Sequence, residues 1–188
     1  MPEAFFIALL FTFISEIADK TQLVILGIAL RYKASFQVFL GALIAHSFMD
    51  ALAILLGYFF SFTVQINLIK IIIGTSFILL GIYGLVKPYI KKGKKKEKKI
   101  EGKTPFAVSF LTVLLSEFGD KTQISSGLLS AKYLLPWHIF FGAFIALALV
   151  IGLNVFVSSK IAEKLPAKAI KVAASVLFIL FGVISLFA

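Results

Sequence analysis

Ser15-Glu16-Ile17-Ala18-Asp19-Lys20-Thr21-Gln22 returns 101 residues later as Ser116-Glu117-Phe118-Gly119-Asp120-Lys121-Thr122-Gln123. Displaced by that interval, the chain aligns with itself without a gap. Gly41-Ala42 meets Gly142-Ala143, and Ile69-Lys70 meets Ile170-Lys171. Phe77-Ile78-Leu79 meets Phe178-Ile179-Leu180, and Gly81 meets Gly182. Apolar helices match Leu with Leu by chance, but chance does not reproduce Ser-Glu-x-x-Asp-Lys-Thr-Gln. The chain is an internal duplication.

Each copy is built from apolar segments. Six stand out, roughly 4–30, 36–60, 67–87, 105–131, 136–159 and 168–187. Each reaches the ~20 residues that a helix needs to cross a bilayer's hydrocarbon core. Helices satisfy their own backbone in lipid, so the expected fold is an all-α membrane protein of six transmembrane helices. The first segment is no signal peptide, because Met1-Pro2-Glu3 offers no basic n-region and acidic groups interrupt the apolar run. The one obvious linker, 88–104, separates a three-helix repeat at 1–87 from another at 105–188. Three spans is an odd number, so the second copy must enter from the opposite face. Two inverted three-helix repeats are a common transporter plan.

Composition excludes the other classes. Of 188 residues, 60% are hydrophobic and only 15% charged, and the mean hydropathy is +1.03. A soluble domain of this size has no interior large enough to hide that apolar surface. With no Cys there are no disulfides and no thiolate metal sites. The net charge of +10 is not a nucleic-acid signature, since 9 of the 19 basic residues lie between Lys87 and Lys103. Such a run reads as a cytoplasmic loop beside anionic lipids. Arg31, Lys33, Lys160, Lys164, Lys168 and Lys171 fall on the same side, against Lys70 and Lys132 on the other. Both termini are therefore expected outside. The lack of targeting extensions suggests a prokaryotic cytoplasmic membrane.

Six charges nonetheless lie near the middle of segments 1 and 4: Glu16, Asp19, Lys20, Glu117, Asp120 and Lys121. Each costs at least ~2.5–3.5 kcal/mol at the bilayer centre, on the order of 15–20 kcal/mol together if uncompensated. They must face one another, bound ions or water. On a continuous helix Glu16 and Asp19 lie about 60° apart, with Thr12, Ser15 and Gln22 on the same polar arc and Lys20 at its edge. Ser116, Glu117, Asp120 and Gln123 repeat the arc. Four carboxylates and two lysines leave a formal charge of −2, which a divalent cation neutralises. Carboxylates, hydroxyls and Gln carbonyls suit hard or borderline ions, and Mg²⁺ dehydrates reluctantly, which favours Ca²⁺ and Mn²⁺. Protons compete for the same carboxylates, and that competition is the minimal machinery of a cation/proton antiporter. A plainer reading is a pair of fixed salt bridges, Glu16–Lys20 and Glu117–Lys121, joining the halves.

Glu16-Ile17-Ala18-Asp19-Lys20-Thr21 and Glu117-Phe118-Gly119-Asp120-Lys121-Thr122 resemble the duplicated E-x-G-D-[KR]-[TS] signature of the Gdt-type Ca²⁺/Mn²⁺–proton antiporters. The resemblance covers essentially the whole chain. It implies that Glu16, Asp19, Glu117 and Asp120 bind the transported cation, with roles for Thr21, Thr122, Gln22 and Gln123. Ala18 departs from the pattern where the family has Gly, leaving slightly less backbone freedom at that bend.

Lys20 and Lys121 are candidates for charge compensation when the metal leaves. His46 and Asp50 in segment 2 form an i, i+4 pair that is a candidate proton relay. Leu147 and Ile151 occupy the matching positions, so the pair is expected outside the repeated core. Asn154 reads as a helix–helix hydrogen bond, and Trp137 and His138 as interfacial anchors. Gly41, Gly57, Gly74, Gly81, Gly142, Gly152 and Gly182 read as close-packing positions. No catalytic constellation or tightly bound cofactor is visible. The reading is a secondary antiporter of Mn²⁺ or Ca²⁺ against protons, with a passive acidic channel and a non-transporting scaffold as alternatives.

Overall fold

In each copy the motif breaks the helix that leads into it. In the computed structural model, which describes residues 2–17, 19–86, 104–156 and 167–187, segment 1 is two helices, α1 (Pro2–Glu16) and α2 (Lys20–Tyr32). Segment 4 is likewise α5 (Pro105–Ser116) and α6 (Lys121–Tyr133). Between them in sequence lie α3 (Ser35–Thr63) and α4 (Ile66–Val86), and after them α7 (Pro136–Phe156) and α8 (Ala167–Phe187). No strand is present among the described residues. The Lys-rich stretch before Thr104, Lys160 and Lys164 lie outside the described residues, as do Ala18 and the side chains of Lys20, Lys168 and Lys171.

Local chemistry sets the boundaries. Thr104 caps α5, its hydroxyl accepting from the Ala107 N–H at 3.3 Å, and Pro105 fills the first helical position. The helix ends at Ser116, and in the turn that follows Gly119 takes φ +74°, a left-handed conformation open to glycine at little cost. Asp120 is then extended (φ −71°, ψ 167°) and leads into α6. The first copy folds back alike: the Asp19 N–H donates to Glu16 O at 3.1 Å, as Asp120 N–H does to Glu117 O at 3.0 Å. The polar arc holds only for a continuous helix and is approximate where the helix is broken or kinked at the motif; the helices are broken there, and two half-helices meet.

Several close contacts recur 101 positions on with the halves exchanged. Lys33 and Leu134, both at positive φ, end α2 and α6. Gly41 of α3 lies against the backbone of Phe106 and Phe110 in α5, and Gly142 of α7 against that of Phe5 and Leu9 in α1. Gly81 of α4 faces Ser175 and Ile179 of α8, while Gly182 of α8 faces Gly74 and Ile78 of α4. Position 74 thus meets 182, and 81 meets 175 and 179, so α4 and α8 run antiparallel although they are equivalent elements. Phe77 and Phe178, an equivalent pair, stack with centroids 5.6 Å apart between them. Gly152 does not match its close-packing expectation, because a Cβ there would meet only Phe39 Cε2 at an ordinary 3.6 Å.

Among the described residues three helices are long and apolar enough to cross a membrane: Ser35–Thr63, Asn67–Val86 and Pro136–Phe156. The half-helices α1, α2, α5 and α6, of 12 to 15 residues, are each too short to cross alone at 1.5 Å per residue. Large apolar side chains such as Leu56, Phe59, Phe62, Ile71 and Leu153 lie on the exterior, the reverse of a water-soluble surface. Two apolar clusters lie inside. One joins α2, α3, α5 and α7 around Ile25, Val38, Val113 and Ile151. The other joins α1, α4, α6 and α8 around Phe11, Ile73, Phe77 and Leu129.

At one end of the bundle Lys132 Nζ donates to Ser185 Oγ at 2.9 Å and sits 4.8 Å from the Phe181 ring centroid. Lys70 at the start of α4 is within electrostatic reach of Lys132, and Glu3 of Tyr133. The starts of α1 and α4 therefore gather with the ends of α6 and α8.

Candidate metal centre

The two breaks meet. Glu16 ends α1 and Asp19 precedes α2, while Glu117 and Asp120 hold the same places between α5 and α6. One carboxylate oxygen from each of the four lies within 4.8 Å of the others. Glu16 is fully buried and Glu117 is 3% exposed, whereas Asp19 and Asp120 are half-buried. The sequence places the two acids of a copy three residues apart. It is the non-helical turn between them, with Gly119 at its bend, that brings both copies' acids into one cluster.

Hydroxyls cross from each half to the other. Thr122 Oγ1 lies 3.0 Å from Glu16 Oε1 and 3.3 Å from Asp120 Oδ2, and its single proton serves one of them at a time. Thr21 in turn bonds the Glu117 carboxylate through its side chain. Lys121 Nζ is 3.9 Å from Asp19 Oδ2, again across the halves. Of the two fixed salt bridges considered from sequence, Glu117–Lys121 is not the pairing found, and Glu16–Lys20 involves a side chain outside the described residues.

The two glutamines differ. Gln123 clasps its own break: its Nε2 donates to Glu117 O at 2.7 Å and its Oε1 accepts from the Gly119 N–H at 2.9 Å. Gln22 instead receives Asn154 Nδ2 of α7, at its backbone carbonyl and, at 3.2 Å, at Oε1. Asn154 is the expected interhelical hydrogen bond. That its partner is a motif glutamine was not legible, because Ala53 holds the equivalent position in the first half.

His46 and Asp50 lie buried on α3, and both are within electrostatic reach of Asp120. Expected outside the repeated core, His46 is in fact at it. One of its ring nitrogens lies within 4.8 Å of carboxylate oxygens of both Glu16 and Glu117. α3 packs against both α5 and α6, which carries His46 to the junction. Leu147 and Ile151, the equivalents on α7, fill the apolar cluster instead.

Carboxylates this close repel by about 3–4 kcal/mol per charged pair at an effective dielectric of 20. Lys121 and the positive N-terminal ends of α2 and α6 offset part of that. The remainder can be balanced by protons or by a metal ion, and the donor set of carboxylates and hydroxyls fits a hard or borderline divalent ion.

A family described as divalent cation/proton antiporter GDT1 matches residues 4–92 and 105–188. A Vibrio cholerae protein named "Putative manganese exporter" is 29% identical over 176 residues, covering 93% of this chain and 86% of that protein. The Synechocystis GDT1-like protein sll0615 is 28% identical over 202 residues, covering 98% and 97%. No solved structure matches the chain.

Proposed function

The chain belongs to the GDT1 family of divalent cation/proton antiporters, and from that premise we propose that it exchanges Mn²⁺ or Ca²⁺ for protons by alternating access at Glu16, Asp19, Glu117 and Asp120. The observation that carries this reading is the convergence of all four carboxylates, two from each half, within 4.8 Å. A divalent ion and protons are alternative ways of balancing that charge, so each expels the other.

The architecture proposed is six spans in two inverted repeats, 1–87 and 105–188, joined by the cytoplasmic linker 88–104. The first and fourth spans are each a pair of half-helices. Antiparallel packing of the equivalent helices α4 and α8 supports inversion, as does the exchange of glycine contacts between halves. α6 packs more extensively on α3 than its equivalent α2 does on α7, the asymmetry expected of a molecule caught in one of two states. Rocking one half against the other exchanges these environments and opens the site to each side in turn. Thr21 and Thr122 hold the acids, Gln123 holds its own break and Gln22 ties the motif to α7, while Lys121, with Lys20, balances charge in the emptied site. Asp50, close behind the site, is proposed as its proton relay. The Lys-rich linker lies against anionic lipid, with both termini outside a prokaryotic cytoplasmic membrane.

Proton release tests the shared site. Adding Mn²⁺ or Ca²⁺ to the purified protein in a lightly buffered detergent solution between about pH 6 and 8 is expected to acidify it, because the ion displaces protons from its ligands. Stoichiometric metal binding with no proton release would indicate a uniporter or channel.

A further inference from the structure

We propose that His46 is a direct ligand of the transported ion, adding one nitrogen donor to the four carboxylates and setting the site's preference for Mn²⁺ over Ca²⁺. The inference rests on the proposed transport reading and narrows its substrate.

His46 is 4% exposed, and its Nε2 is buried with no hydrogen-bond partner. An orphaned imidazole nitrogen is costly in a protein interior. The ring that carries it lies beside two buried acids. A ring nitrogen of His46, one oxygen of Glu16 and one of Glu117 all lie within 4.8 Å of one another. Glu16 Oε2 is likewise buried and unpartnered, while Oε1 takes the Thr122 hydroxyl. Donor atoms that gather within 4.8 Å are close enough to share an ion. Two ligands of one cation with bonds of about 2.1–2.4 Å stand at most about 4.2–4.8 Å apart.

The chemistry of the added donor decides the ion. Ca²⁺ takes oxygen ligands almost exclusively. Neutral imidazole binds first-row transition ions, and Mn²⁺ accepts both kinds of donor. The four carboxylates alone do not separate the two ions. His46 does, and it comes from the one helix whose repeat counterpart carries Leu147 at that position. Selectivity is thus grafted onto a symmetric acidic site by an asymmetric residue.

The test uses the full chain without a histidine tag, loaded with Mn²⁺ in detergent and examined by electron spin echo envelope modulation. Only 2 His are present, His46 and His138. Modulation from a directly bound ¹⁴N is expected. It should change to the ¹⁵N pattern when histidine alone is labelled, survive His138→Gln, and vanish in His46→Gln. In parallel, His46→Gln should weaken Mn²⁺ binding by about tenfold or more and Ca²⁺ binding far less, so that the Mn²⁺/Ca²⁺ ratio collapses. Bound Mn²⁺ without histidine modulation in the wild-type protein would overturn the inference while leaving the carboxylate site intact. So would an equal loss of both affinities in His46→Gln. Failure of the wild-type protein to bind either ion would overturn the transport reading itself, and this inference with it.

Discussion

Replacing Glu16 with Gln, Asp19 with Asn, Glu117 with Gln or Asp120 with Asn is expected to reduce divalent cation flux by about a hundredfold or more. Each change keeps the side chain's size and removes one charge from the cluster. Breaking a buried charge pairing costs about 3–5 kcal/mol because the remaining charge is left uncompensated, and 3 kcal/mol is already more than a hundredfold in binding. Folding should not suffer, because the emptied cluster loses one repelling charge. Flux measured with radioactive Mn²⁺ in proteoliposomes, beside thermal unfolding in detergent, separates the two effects. Glu16 and Glu117 sit deepest, so their variants should fall furthest. Wild-type flux in any two of the four would remove the basis for one shared site.

Gly41→Ala and Gly142→Ala should each destabilise the protein by about 1–3 kcal/mol, the usual cost of overpacking a filled interior. A Cβ at Gly41 would run into the Phe106 carbonyl, and one at Gly142 into the Phe5 carbonyl. Neither clash is relieved by rotating a side chain, so α3 must part from α5, or α7 from α1. These contacts set the axial position of α1 and α5, whose ends carry Glu16 and Glu117, so transport should fall along with stability. The two losses should be alike, because the positions are equivalent. Gly27→Ala is the control: nothing lies within 4 Å of a Cβ there, and Ala favours a helix over Gly by about 1 kcal/mol. Thermal unfolding of the three variants in one detergent would decide. Unchanged stability in both Gly41→Ala and Gly142→Ala would mean that the helices do not approach as described.

Much of the site was legible because charge is so costly in an apolar segment. Six charges inside apolar segments, repeated with the same spacing, were expected to converge, and the four carboxylates do lie together. The repeat interval also placed the helices, since α2 and α6, and likewise α4 and α8, have bounds 101 residues apart. The breaks were harder to read. A Glu-x-x-Asp spacing is as compatible with a helix face as with a turn, and only Gly119 hints at the bend. The cross-bonding of Thr122 to Glu16 and of Lys121 to Asp19 was hidden, because sequence shows which residues share a helix and not which half faces which. His46 was not legible at the site because its counterpart is Leu147, and a repeat shows only what both copies share. Helix packing obeys no such rule: α3 and α7 are equivalent in place but free to differ in side chains.

The most direct test of antiport is Mn²⁺ movement in proteoliposomes under an imposed pH gradient. With equal Mn²⁺ on both sides and the lumen acidic, Mn²⁺ should accumulate inside as protons leave, and reversing the gradient should reverse the flux. A protonophore should abolish accumulation, and Glu117→Gln should show none. Mn²⁺ that moves only down its own gradient, at a rate indifferent to the pH difference, would contradict proton-coupled exchange and leave a passive pore.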